Sequence, residues 1–257
     1  MKIIVSPAKK LDFDEFAPVS KFTSPKYLDE SKRLINVLRK YTESDIAKLM
    51  KLSDSLAKLN VDRYKSFNPP FDLENAKQAM YAFQGDTYKG LRAVDFSKDE
   101  ANYAQKSLRI LSGLYGVLRP LDLIQPYRLE MGTKLPCEGN KNLYGFWKDT
   151  LTEDLNKELK KDKDCALINL ASKEYFSSLD FSKLSVPVIT CHFMEKKNDG
   201  YKVVGLFAKR ARGMMSRYII ENQITKVSGL KDFNEQGYLY DAKASDDLNL
   251  VFKRDQS

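Results

Sequence analysis

One histidine and three cysteines are all that this chain of 257 residues offers of imidazole and thiol chemistry. A histidine-built zinc site, a HExxH helix or a Ser-His-Asp triad needs further ligands or partners in suitable places. The histidine, His192, falls in an apolar run where alternation puts it on a face with Val188 and Thr190, the pattern of a structural or solvated residue. Cys137, Cys165 and Cys191 are odd in number and form no CxxC pair, so no disulfide framework is expected and a reducing compartment is. Cys165 and Cys191 lie in apolar runs and read as inert. Cys137, between Pro136 and Glu138, reads as more exposed but carries an acidic neighbour that disfavours the thiolate. Scattered carboxylates with one histidine make neither a facial triad nor a Glu-x-x-His pair, so neither a metal nor a cofactor is expected.

Walker A and GxGxxG loops, internal repeats and low-complexity tracts are absent as well. So is any apolar stretch near the eighteen or so residues that span a bilayer. The apolar run Ile3-Ile4-Val5 stops at Ser6-Pro7, too short for a signal peptide, which leads to the expectation of a cytoplasmic protein without a membrane partner.

Positive charge is what the chain has in excess: 43 lysines and arginines against 35 acidic residues, a net +8. That balance suits nucleic acid, a nucleotide phosphate or an anionic surface, and it also serves plain solubility. Hydrophobic residues make up 42%, enough for one sizeable core. Residues 2–5 read as a buried strand, and 27–40 as a helix with its stripe at Leu28, Leu34, Ile35 and Leu38. Ser44 reads as the cap of a short helix, followed by a turn at Leu52-Ser53-Asp54 and a second helix closed by Asn68-Pro69-Pro70. Helices are expected at 73–83 and 98–111, then an irregular, proline-marked stretch over 113–132. Trp147, Leu151, Leu155 and Leu159 fall at steps of four and predict an amphipathic helix ending in the charged run 160–164. Strands are expected at 165–170 and 186–194, with a hairpin through Asn198-Asp199-Gly200 to a partner over 201–207. A helix over 211–220 and a strand over 248–253 follow. Together these predict a single compact α+β domain over 1–257, with a mixed sheet built from both chain ends and helices clustered in the N-terminal half.

Two candidate sites emerge. The unit 44–66 has the form of two helices around a tight turn. The Ser53 and Ser55 hydroxyls and the start of the second helix make a phosphate grip, ringed by Lys48, Lys51, Lys58 and Arg63 for contacts to a duplex backbone. The turn lacks glycine, and the plain alternative is a hairpin that packs Leu49, Leu52, Leu56 and Leu59 on the core. The second candidate is a polar pocket fed by loops: Ser6 and Lys9; Arg119, Tyr127, Arg128 and Glu130; Lys173 and Glu174; Lys209, Arg212 and Arg217. With Gly213 at a helix start, Arg212 and free backbone N–H groups would face an anion. Lys9 or Lys173 in a dry pocket could act as base or nucleophile, oriented by Glu130 or Glu174. The plain alternative is ordinary ion pairs that never converge.

SPAK at 6–9, FQGDTYKGL at 83–91, LRILSGLYGVLRPLDLIQPYRLEMG at 108–132, INLASKEY at 168–175, AKRARGMMSRYIIEN at 208–222 and GYLYDAKASDDLNLVFKR at 237–254 give the chain its resemblance. It resembles the YaaA family, the bacterial peroxide stress proteins, along nearly its whole length. The resemblance implies a cytosolic protein induced by hydrogen peroxide that limits unincorporated intracellular iron. It further implies one α+β domain with a positively charged cleft, and a helix-hairpin-helix element used on double-stranded DNA, matched here by 44–66. No recognised catalytic motif comes with it. The alternative expectation is an enzyme acting on a phosphate-bearing or nucleobase-like small molecule in the Lys/Arg-lined pocket.

Overall fold

The computed structural model describes residues 1–15, 17–160, 166–198 and 200–255. The charged run after 160 and Cys165 lie outside the described residues.

Ile3, Ile4 and Val5 are all buried, so the first strand, β1 (Lys2–Val5), is apolar on both faces, as a central parallel strand must be. It pairs in parallel with β2 (Leu108–Ser112) on one side. On the other side it pairs in parallel with β4 (Leu167–Leu170). An antiparallel strand, β3 (Gly116–Leu118), closes the β2 edge. Beyond β4 lies β5 (Val188–Lys197), parallel to it, with β6 (Gly200–Lys202) hairpinned onto its far end. The last strands are β7 (Leu239–Tyr240) and β8 (Asn249–Arg254), β8 running parallel to β5 and β7 antiparallel to β8. The result is a mixed eight-stranded sheet in the order β7-β8-β5-β4-β1-β2-β3, drawing on both chain ends as expected. The chain leaves β1 toward β2 and later returns to the other side of β1 at β4. The gap beyond the carboxyl ends of β1 and β4 is therefore a topological switch point, where open α/β sheets place ligands.

Among the described residues, seven α-helices of six or more residues surround the sheet: α1 (Leu28–Leu38), α2 (Glu43–Met50), α3 (Asp54–Ser66), α4 (Asp86–Leu91), α5 (Lys98–Ser107), α6 (Leu143–Leu159) and α7 (Gly205–Glu221). Five precede β2, but the two longest follow it. Trp147, Leu151, Leu155 and Leu159 are all buried, as their spacing predicts, and α6 covers the sheet face that carries Ile4 and Leu111. By register Thr190 shares that face, so Cys191 points the other way, where it lies beside Arg212 of α7.

The structure corrects several expectations. Residues 73–83 do not form one helix. Asp72 accepts hydrogen bonds from the Glu74 and Asn75 amides in a side-chain turn, Lys77–Gln78 pairs with Leu123–Ile124, and only Ala79–Ala82 is helical. The helix expected to reach 111 ends at Ser107, because Leu108, Ile110 and Leu111 are claimed by the sheet. Thr42, not Ser44, caps α2, in a reciprocal capping box with Asp45. The partner of β5 stops at Lys202, and α7 begins at Gly205 rather than at 211.

Candidate functional site

The hairpin 44–66 exists as α2 and α3. Its turn closes without glycine because Lys51 adopts the left-handed conformation, with φ 53°. Ile46, Met50, Ala57, Val61 and Tyr64 form its buried side. The leucine packing expected of a plain hairpin holds for half of its residues: Leu49 and Leu52 are half-buried against the core, while Leu56 and Leu59 are 39% and 43% exposed. They lie on the outer side because the helix turns its Ala57, Val61 and Tyr64 stripe inward. Lys48, Lys51 and Lys58 are exposed and form no ion pair among the described residues. Ser53 holds the N-cap position of α3 with no side-chain cap bond, its hydroxyl lying 3.2 Å from that of Ser55. Asp54 sits in the same first turn. Arg63 is half-buried with its guanidinium 3.3 Å from Asn60 Oδ1, and burial, aided by nearby Arg128, holds its pKa below the ordinary arginine value.

The inner end of the hairpin meets the second candidate site. The Tyr64 hydroxyl donates to the backbone carbonyl of Arg128. Arg128 and Lys9 both reach Glu130 Oε1, at 3.1 and 3.0 Å. From Lys9 the surface enters a cleft of about 280 Å³ at the sheet's switch point.

Four chain segments and one helix build that cleft. Ser6 to Lys10 follow β1, Ser172 and Glu174 follow β4, Gln84 to Tyr88 cross the mouth, Glu130 comes from the irregular 113–132 stretch, and Lys209 and Arg212 descend from α7. The Ser6 hydroxyl accepts from the Ser172 amide at 2.9 Å and donates to the Ser172 hydroxyl at 3.3 Å. The Tyr88 hydroxyl donates to the Ser6 carbonyl at 3.1 Å, and Glu174 Oε1 accepts from the Gly132 amide at 3.0 Å. Gly85, at φ +133° and packed against Ala8, turns the mouth segment in a conformation that side chains rarely adopt. Deeper in, α4 and α7 cross at van der Waals distance: a Cβ on Gly213 would lie 1.8 Å from the Thr87 carbonyl oxygen.

Of the eleven pocket residues expected from the sequence, Ser6, Lys9, Glu130, Glu174, Lys209 and Arg212 line this cleft. Arg128 stands behind Glu130. Tyr127 is buried behind the wall with its hydroxyl 2.7 Å from that of Ser112. Lys173 is exposed outside. Arg119 is bound to Asp122 and faces a different depression with Lys26 and Asp154. Arg217 lies on another side of α7, paired with Asp95 and Glu221. Gly213 is interior to α7, so the backbone N–H groups beside Arg212 are spent within the helix and the guanidinium alone is offered. Lys9 is 68% exposed and ion-paired, so it does not sit in a dry pocket. Gln84, Asp86, Thr87, Tyr88, Ser172 and Tyr175 also line the cleft. Ser172 and Tyr175 belong to the 171–175 segment already expected at the pocket, whereas Gln84, Asp86, Thr87 and Tyr88 are not among the pocket residues expected from the sequence, although the Gly85 turn between Phe83-Gln84 and α4 is a usable signal.

Arg212 is half-buried, and no hydrogen bond or ion pair reaches its guanidinium among the described residues. Burial lowers its pKa, opposed by Cys191 nearby. Neither buried thiol described is poised to react. Burial pushes Cys191 up to about 12, and burial followed by Glu138 raises Cys137, which is buried rather than exposed. Among the described residues no three His, Cys, Asp or Glu side chains gather to hold a metal ion, and no helix is long and apolar enough to cross a membrane.

The fold and site define a class: a mixed-sheet α+β protein with a basic cleft at its switch point and a lysine-bearing helical hairpin beside it. The chain belongs to the family of peroxide stress protein YaaA, which matches residues 1–244. It is 50% identical over 254 residues to a UPF0246 protein of Flavobacterium psychrophilum, covering 99% of this chain and 100% of that one. It is likewise 50% identical over 256 residues to a UPF0246 protein of Alteromonas mediterranea, covering 100% of this chain and 99% of that one.

Proposed function

We propose that this member of the peroxide stress family acts in the cytoplasm by binding double-stranded DNA through α2 and α3, shielding it while free iron is kept low. The observation that carries the reading is the hairpin's outer side. Lys48, Lys51 and Lys58 are exposed there without an ion pair among the described residues, Lys48 lying near Asp45, around a helix start whose N-cap serine makes no cap bond. Such a surface grips phosphates without reading bases, by counterion release and by helix-terminus N–H groups. Hydroxyl radical formed from ferrous iron and peroxide attacks DNA, so occupancy of DNA by this protein is protective. The limit on iron does not require an iron cage in this chain.

Fluorescence anisotropy on a labelled duplex tests the reading. Affinity should fall with salt at a log–log slope near −3, about 0.9 per phosphate contacted by the three lysines. Lys51→Glu with Lys58→Glu should abolish binding; intact affinity in that double variant would remove the hairpin from the DNA surface. A second reading, a small-molecule site of enzymatic or regulatory use, is favoured by one observation. The half-buried guanidinium of Arg212 lacks a partner among the described residues at the place where sheets of this kind bind ligands.

A further inference from the structure

Most polar groups in the cleft are already used. Lys9 is held by Glu130, Glu130 also takes Arg128, and Glu174 accepts from the Gly132 amide. Besides the exposed Lys10 and Lys209 and the Gln84 and Thr87 side chains, three groups there have unused capacity. The Arg212 guanidinium has no partner among the described residues. The Ser172 hydroxyl accepts from Ser6, but its own proton has no acceptor among the described residues. The Asp86 carboxylate, half-buried in the wall, accepts nothing and pairs with no cation among the described residues. A cation and a neutral donor without acceptors mark an anion subsite, and guanidinium suits phosphate because its fork donates in pairs. A free carboxylate in the same cleft repels a bare anion and calls for hydroxyl or amino donors.

We infer that the cleft takes a phosphate ester of a hydroxyl-bearing small molecule, its phosphate between Arg212 and the Ser172 hydroxyl and its hydroxyls toward Asp86. This rests on the second reading above. The cleft's volume of about 280 Å³ sits at the small end of ligand sites, which suits a single phosphorylated sugar or mononucleoside and not a dinucleotide. Lys209 lies exposed at the cleft, where it adds to the field that draws the phosphate in.

Isothermal titration calorimetry on the full chain, with inorganic phosphate, ribose and ribose 5-phosphate as probes, tests this. Ribose 5-phosphate should bind at least about tenfold more tightly than inorganic phosphate, and ribose alone should give no heat. Arg212→Lys should weaken both phosphate-bearing probes about tenfold, since a point charge replaces the fork. Asp86→Asn should erase the advantage of the ester while leaving inorganic phosphate as tight or tighter. Ser172→Ala keeps the backbone N–H bond to Ser6, so it folds; it should weaken both probes and decides the phosphate position should Arg212→Lys unfold. Lys51→Glu with Lys58→Glu should leave ribose 5-phosphate binding intact, which separates a free ester from a phosphate of the duplex. Equal affinity for ester and phosphate would overturn the hydroxyl assignment but leave an anion site. No binding of either at about 10 mM would overturn both that assignment and the reading beneath it.

Discussion

The hydroxyl of Ser6 and the amide of Ser172 meet at 2.9 Å, tying together two segments 166 residues apart in sequence. Each follows a central parallel strand, β1 or β4, and the bond fixes the floor of the cleft. Ser6→Ala leaves the half-buried Ser172 N–H without its acceptor, which costs about 1–2 kcal/mol. Urea unfolding should show that loss, with affinity of the hairpin for DNA unchanged. A variant as stable as the wild type would mean that the two loops are held by their strands alone.

Gly213 and Thr87 make the tightest contact between α4 and α7. An alanine at 213 would place its Cβ 1.8 Å from the Thr87 carbonyl oxygen, and both partners are helical backbone that cannot step aside singly. Gly90 repeats the arrangement against the Arg210 carbonyl oxygen, where a Cβ would fall at 2.1 Å. Overpacking of this kind costs about 3 kcal/mol, or roughly 6–12 °C in a chain of this size. Scanning calorimetry of Gly213→Ala should show a drop in that range.

The legible parts of this fold were those written in local pattern. Residues 2–5 and the four-residue stepping of Trp147, Leu151, Leu155 and Leu159 each name their own burial. The hairpin at 44–66 was legible because its two short helices are separated by a turn with polar punctuation. Leu108, Ile110 and Leu111 were not, since a short apolar run fits a buried helix end as well as a central strand. The start of α7 was hidden for a related reason: Gly205, Leu206 and Phe207 carry strand-like apolarity, and tertiary packing overrides it. Convergence of Ser6, Lys9, Glu130, Glu174, Lys209 and Arg212 depends on strand order, which no local pattern encodes. The order places Ser6 beside Ser172, while Arg119 faces another depression and Arg217 another side of α7.

The buried thiols have a signature in pH. Cys191 is held as the neutral thiol, its pKa pushed up to about 12 by burial despite the pull of Arg212. A proton retained in the folded state and lost in the unfolded one near pH 8.5 means that stability is complete below that pH and falls as pH rises toward 12. Unfolding free energies from urea titrations between pH 8 and 10.5 should therefore decline more steeply for the wild type than for Cys191→Ala, by up to about 1.4 kcal/mol per pH unit. At pH 8, peptide mapping after alkylation should find Cys137 and Cys191 unmodified in the folded protein. Rapid labelling of either would show that its segment opens readily.

Lys51 joins a strained backbone to a cation of the proposed DNA surface, and one substitution separates the two. Its backbone sits in the left-handed region at φ 53°, which a side chain occupies at a cost and glycine does not. Its side chain is exposed and unpaired, so removing it breaks no internal contact. Lys51→Gly should thus stabilise the protein by about 0.5–1 kcal/mol through the turn itself. The same change removes one of three cations from the hairpin's outer side, so DNA affinity should fall and the salt slope should lessen by about 0.9. Lys51→Ala, which keeps the strain and also removes the charge, should bind DNA like Lys51→Gly but unfold at lower urea. Stability rising while binding falls is the outcome that only a functional lysine in a strained turn produces. Equal DNA affinity in wild type and both variants would return the residue to a purely structural position, and with it the left-handed turn.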